Sequence, residues 1–305
     1  MRQSYEFDSF GELSIKGYKW TDSGEPTAIL VISHGMAETI ERYDAFAGFL
    51  VENGIFVYGH SHRGHGQTAE SMEHLGYLGE NGWFKMKEDL RRVVEMARTE
   101  YSEIPIFLLG HSMGSFLARD FLLDYSYLIS GVILSGTGYF SKFELNLGKF
   151  LAQSEVNRKG IYYKSDRMTK ISFGTYNKKI KGSQTDFDWL SRDAEVVKEY
   201  IEDPYCGQTH PASFYLEFMT NLYRILYTDL FKNLKDNLRM YIISGDSDPV
   251  GQYGKGVRKT ARYYRDNGFD VSMKLYEGGR HEMLNELNRK EVFEDILNWI
   301  QSGRE

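Results

Sequence analysis

The pentapeptide Gly110-His111-Ser112-Met113-Gly114 constrains this chain more than any other stretch. The apolar run Ile106–Leu109 before it reads as a buried strand, and the residues from Ser115 to about Asp124 read as an amphipathic helix. A strand that turns directly into a helix around a serine holds that serine above the sheet edge. Its neighbours two positions away must lack bulk because backbones crowd there, and Gly110 and Gly114 meet that need. The N-terminus of the new helix aims free N–H groups at the site and favours developing negative charge. The pattern is that of a nucleophilic serine.

The rest of the chain supplies the sheet that such a turn requires. Ala28–Ser33, Ile55–Tyr58, Val132–Ser135 and Met240–Ser244 are further short apolar runs of the buried-strand type, and Val271, Met273 and Leu275 alternate with polar residues as an outer strand does. Tyr43, Phe46 and Leu50, then Met86, Leu90, Val93 and Ala97, and finally Val292, Ile296 and Ile300 recur at helical spacing, the last set behind a capping pair, Asn288 and Glu291. Strands alternating with helices predict an α/β fold, a mostly parallel central sheet flanked by helices. The alternation fails between about Gly136 and Lys235, an aromatic, polar and irregular stretch. We therefore expect a core of residues 1–136 and 234–305 and a cap, or lid, of residues 137–233 inserted after the sixth strand.

A length of 305 residues accommodates this plan. The net charge of −6 argues against nucleic acid as a partner. A single cysteine, Cys206, rules out an intramolecular disulfide, and neither a signal-type leader nor a membrane-length apolar run occurs, so a cytoplasmic location is expected.

A serine hydroxyl is a weak nucleophile and needs a histidine base, itself oriented by an acid. On a strand–turn–helix scaffold of this kind the acid and then the base follow the serine in the chain. Only His210 and His281 lie beyond Ser112; His281 follows the last strand, whereas His210 lies in the insertion and follows none. Asp246 and Asp248, in the loop after Met240–Ser244, compete for the acid role; Asp248 precedes Pro249, a pairing that fixes a turn. Oxyanion donors are expected from the amide of Met113 and from the loop after the third strand, at Met36.

Taken in order, His34-Gly35-Met36-Ala37-Glu38 with Arg42-Tyr43, Arg63-Gly64-His65-Gly66-Gln67, Gly110-His111-Ser112-Met113-Gly114, Gly245-Asp246-Ser247-Asp248-Pro249-Val250 and Tyr276-Glu277-Gly278-Gly279-Arg280-His281-Glu282 make the sequence resemble the monoacylglycerol lipase and lysophospholipase branch of the α/β-hydrolases. The resemblance spans almost the whole core and is weak across the insertion. It implies Ser112 as nucleophile, Asp248 as acid, His281 as base and the amides of Met36 and Met113 as the oxyanion hole. The implied activity is cleavage of carboxylic esters of lipid-like substrates (monoacylglycerol, lysophospholipid or short acyl esters) through an acyl-enzyme, with no cofactor or metal. One departure is Ser61, where the family usually carries Asp.

Other readings compete with these. An aminopeptidase or amidase shares the same relay. A non-catalytic ligand-binding homologue would be expected to lack one of the three residues. His60, His62 and His65 approach the spacing of a dinuclear metallohydrolase, but Gly64 stands where that signature needs Asp, so a hydrogen-bonded loop is expected. Ser61 mimics a second nucleophile turn, yet Arg63 occupies a glycine position, and Cys206 has no strand–turn–helix setting. Between Lys142 and Lys181 ten cations accompany three anions, with aromatics interleaved. That stretch reads as a solvated cap surface or a peripheral contact with anionic membrane. Phe187, Trp189 and Leu190 are candidates to line the acyl pocket or to pin the cap to the core.

Overall fold

A computed structural model describes residues 1–227 and 238–302. Eight strands form one sheet: β1 (Arg2–Asp8), β2 (Ser14–Trp20), β3 (Ala28–Ser33), β4 (Ile55–His60), β5 (Ile106–His111), β6 (Gly131–Ser135), β7 (Arg239–Gly245) and β8 (Asp270–Tyr276). Their spatial order is β1-β2-β4-β3-β5-β6-β7-β8. From β4 to β8 all pairs are parallel, while β1–β2 and β2–β4 are antiparallel. The five apolar runs and the alternating outer strand of the sequence are β3 to β8, with β8 at the edge. The β1–β2 hairpin was not expected, because β1 is mostly exposed and its side chains carry no buried stripe to betray it.

Register places the ends of the central strands side by side: Ser33 pairs with Gly110, His111 with Ser135, and Gly245 with Tyr276. The loops after β3, β5, β7 and β8 therefore leave from one edge of the sheet, where ligand sites of open α/β sheets form.

Helices cover both faces. On one lie α1 (Asp44–Glu52) and α9 (Arg289–Gln301), with Phe46 against Phe293 at 4.9 Å. On the other lie α2 (Gly82–Glu100), α3 (Met113–Tyr125) and α8 (Lys255–Asp266), whose buried Trp83, Leu90, Phe121 and Tyr264 join one apolar cluster with the sheet. Asn288 precedes α9 but makes no capping bond; its Oδ1 accepts from Arg192 at 2.9 Å and its amide donates to Glu291 at 3.0 Å, so the expected capping pair is replaced by side-chain contacts.

Between β6 and β7 the chain builds α4 (Lys142–Lys159), α5 (Asp166–Phe173), α6 (Ala194–Glu202) and α7 (Ala212–Tyr227). The irregularity read from the sequence is thus corrected. Helix α4 opens with a capping box, Ser141 and Glu144, and buries Leu145, Gly148, Ala152 and Glu155. Two small residues and a carboxylate make that stripe too polar to stand out as amphipathic. Gly148 lets α7 approach closely, since a methyl there would strike Met219. The expected downstream cap boundary, 233/234, lies outside the described residues.

Candidate active site

Ser112 sits between β5 and α3 with φ 50° and ψ −118°, a left-handed conformation that costs a non-glycine residue of order 1–3 kcal/mol and persists only where the surroundings enforce it. Enforcement comes from crowding. A methyl on Gly114 would strike the Ser33 carbonyl, and one on Gly110 would strike the carbonyl of Gly114. Ser115 Oγ donates to the Ser112 carbonyl at 2.6 Å, and Met113 begins α3.

The loop after β3 lies against this turn. A Cβ on Gly35 would stand 3.2 Å from Ser112 Cβ. His34 shapes the loop: its Nε2 accepts from the His62 amide at 2.9 Å, so its Nδ1 must carry the proton and donate to the Gly35 carbonyl at 2.7 Å. Burial keeps this ring neutral, its pKa pushed down to about 3. The Gly35 amide donates to Glu38, which also accepts from Tyr43 at 3.0 Å and Arg42 at 2.9 Å. Met36 follows Gly35, beside Ser112.

Across the site, His281 Nδ1 stands 3.1 Å from both carboxylate oxygens of Asp248. Asp248 is fully buried and also accepts from Ser244 Oγ at 3.1 Å and the Val250 amide at 2.8 Å. Asp246 turns away and accepts from the Gly278 amide at 2.9 Å. Burial by itself would lower the pKa of His281. The charge and hydrogen bond of Asp248, with Glu282 and Glu38 beyond, override it and raise the value above that of a free imidazole. The ring is flanked by Trp189 at 5.0 Å and His111 at 4.8 Å.

Two cavities meet at Ser112, Met36, Phe173 and Thr175. The larger, about 670 Å³, includes His281, Glu282, Thr169, Asn177, Gln208 and Thr209 in its wall. The smaller, about 350 Å³, is lined chiefly by Phe116, Phe140, Leu145, Leu151, Phe218 and Met219. Phe187, Trp189 and Leu190 line the larger cavity, whose wall mixes polar and apolar side chains, and not the smaller one. Trp189 and Leu190 also form a buried cluster with Tyr200, Cys206 and Val250. The apolar lining went unrecognised in the sequence because much of it comes from α4 and α7, whose buried stripes emerge only once the helices are placed.

The three clustered histidines do not converge on a point. His62 Nε2 faces Ser33 Oγ at 3.1 Å, His65 turns to His210 (Nε2 to Nε2, 3.2 Å), and among the described residues neither nitrogen of His60 has a hydrogen-bond partner. Among the described residues no group of three or more His, Cys, Asp or Glu side chains is placed to hold a metal ion. Cys206 is buried, and burial pushes its thiol pKa up, away from reactivity.

A family model described as serine aminopeptidase, S33, matches residues 24–288. The chain is 28% identical to a monoacylglycerol lipase of Mycolicibacterium smegmatis over 304 residues, 99% of this chain and 98% of that one. It is 27% identical to a monoglyceride lipase of Rattus norvegicus, covering 92% and 84%. Its structure is similar to that of a thermostable carboxyl esterase of Bacillus coagulans in complex with glycerol, with TM-score 0.91, 29% identity and coverage of 99% and 98%.

Proposed function

The chain belongs to the α/β-hydrolase family described as serine aminopeptidase, S33, and from that premise we propose that it cleaves carboxylic esters of monoacylglycerol type through Ser112, His281 and Asp248. It is a carboxylic ester hydrolase; the proposal concerns the residues, the route and the substrate. The observation that carries it is the meeting of a strongly apolar cavity and a larger one of mixed lining at one strained serine, beside a buried histidine–aspartate pair. An acyl chain fits the smaller cavity and a hydroxylated alcohol the larger.

On this reading His281 takes the proton of Ser112 as the hydroxyl attacks the ester carbonyl. The oxyanion is held by the amides of Met36 and Met113, at the N-terminus of α3. Asp248 accepts from His281 Nδ1 and stabilises the imidazolium. His281 then protonates the departing alcohol, and water, deprotonated in turn by His281, releases the acid. The names of the lipase relatives support the substrate class.

Cleavage of aminoacyl substrates is the weaker reading. A free amino terminus needs an unpaired carboxylate near the serine. Of the three carboxylates lining the larger cavity, Glu38 and Glu282 are engaged by Arg42, the latter through two bonds of 2.6 Å, and Asp186 is solvent-exposed. A panel of monoacylglycerols, lysophospholipids, short esters and aminoacyl amides, read as kcat/KM, tests the proposal. Preference for aminoacyl amides would reject it.

We further propose that helices α4 to α7 act as the cap and that α4 rests on anionic lipid. Phe143, Leu147 and Phe150 are exposed at helical spacing, Lys142 and Lys149 flank them, and Leu147 also lines the apolar cavity. Among the described residues no helix is long and apolar enough to cross a membrane. Sedimentation with anionic vesicles should carry the protein down, and equal binding to neutral vesicles would refute the electrostatic part.

A further inference from the structure

The segment that bears His281 follows two glycines, Gly278 and Gly279, and precedes a short 3-10 turn, Met283–Asn285. The core holds its start, where the Gly278 amide donates to Asp246 at 2.9 Å and the Ser247 amide to the Gly279 carbonyl at 3.0 Å, and Asp248 holds the ring of His281. At His281 itself the backbone is tied to the cap. The His281 amide donates to the Trp189 carbonyl at 3.3 Å and the Glu282 amide to the Leu190 carbonyl at 2.8 Å. From the other direction, the Arg280 guanidinium donates to the carbonyls of Asp188 and Ser191 at 2.6 and 2.7 Å.

One carboxylate closes this ring of contacts. Glu286 is fully buried. Its Oε1 accepts from the amides of Arg192 and Arg280, both at 3.0 Å, and its Oε2 accepts from Arg192 Nε and the Leu287 amide, both at 2.9 Å. It therefore grips the residue just before His281 and, in the same side chain, the cap residue two places after Leu190. A buried carboxylate with four donors is held rigidly, and a charge in that position is stable only while its donors stay in place.

We propose that Glu286 is a positioning residue for His281: it locks the histidine loop to the cap segment Asp188–Arg192, so that the base is in place only while that segment is docked. The proposal rests on His281 being the base. It makes this part of the cap a fixed member of the catalytic scaffold, with any opening movement confined to other cap elements.

The test is Glu286→Gln, which keeps the size of the side chain but leaves one strong acceptor for four donors. Turnover of a short acyl ester should fall in kcat by roughly ten- to a hundred-fold while KM stays within about threefold, as expected when a reacting group is misplaced and binding is not. The Nδ1 proton resonance of His281, read by NMR in histidine-labelled protein, should shift or broaden in step. Arg192→Gln, which removes the fork from the partly exposed side of the pair, should move both readouts in the same direction and serves if Glu286→Gln does not fold. Wild-type kcat and an unmoved His281 resonance in either folded variant would overturn the proposal. His281→Ala separates the two levels: full activity there removes the base assignment itself, whereas loss of activity there with normal Glu286→Gln removes the positioning role alone.

Discussion

In the proposed relay the chemistry turns on His281, and the surroundings of that ring predict a pH dependence. It must be neutral to accept a proton, and Asp248, Glu282 and Glu38 stabilise its charged form. Activity should therefore rise with pH through a limb above the imidazole value of about 6.5. Glu282→Gln removes a charge that favours the imidazolium and leaves Arg42 less compensated, so the limb should move to lower pH in a kcat/KM profile. A limb that stays in place would show that Glu282 does not act on the ring. At the neighbouring turn, Gly114→Ala would drive a methyl into the Ser33 carbonyl. It should cost about 1–3 kcal/mol in urea unfolding and lose most activity. These positions were legible in the sequence because chemistry and sterics leave few residue types free: the glycines flanking Ser112, the Asp-Pro turn at Asp248, and a histidine after the last strand. Arg42 was legible only as part of a motif; its two-carboxylate clasp depends on Glu282, which is 240 residues away in the chain.

At the scale of elements, the central strands declared themselves because each is buried on both faces and reads as an apolar run, and β8 by its alternation at the sheet edge. The β1–β2 hairpin and α4 did not, since both are edge or surface elements whose burial comes from tertiary partners. Helix α4 nevertheless carries a local start signal, and Ser141→Ala should cost about 1 kcal/mol of stability by deleting its capping box. The apolar cavity between α4 and α7 gives a functional prediction. Leu151→Trp should fill it and depress kcat/KM for long acyl chains, about 0.8 kcal/mol for each methylene displaced, while short esters are spared. An equal loss for acetyl and long-chain esters would mean that the acyl group lies elsewhere.

The whole molecule carries an unusual store of buried neutral imidazoles. Burial lowers the pKa of His34, His60 and His65 to about 3 and of His111 to about 4, and it holds His62 and His210 well below the usual imidazole value. Unfolding exposes these six rings, which then titrate near 6.5. Below that pH the unfolded chain binds protons that the folded chain refuses, and stability falls by on the order of 1.4 kcal/mol per ring and pH unit. His281 works in the opposite sense: its raised pKa adds stability below 6.5 that is lost as pH rises through the folded value, but one ring does not offset six. Urea midpoints should therefore drop steeply between pH 7 and 5. A flat profile would mean that the histidine cluster accommodates charge. In the sequence only His60, His62 and His65 stood together, read as a hydrogen-bonded loop; their packing against His34 and their contact with the insertion through His210 emerge only from the fold.

On the proposed mechanism, residues 112, 248 and 281 act as one relay with Ser112 as its nucleophile. Labelling with a fluorophosphonate followed by peptide mass mapping tests it most directly. A single adduct on Ser112 is expected in the native protein, formed far more slowly in His281→Ala and Asp248→Asn. An adduct on another residue, or one on Ser112 forming equally fast without the histidine, would contradict it.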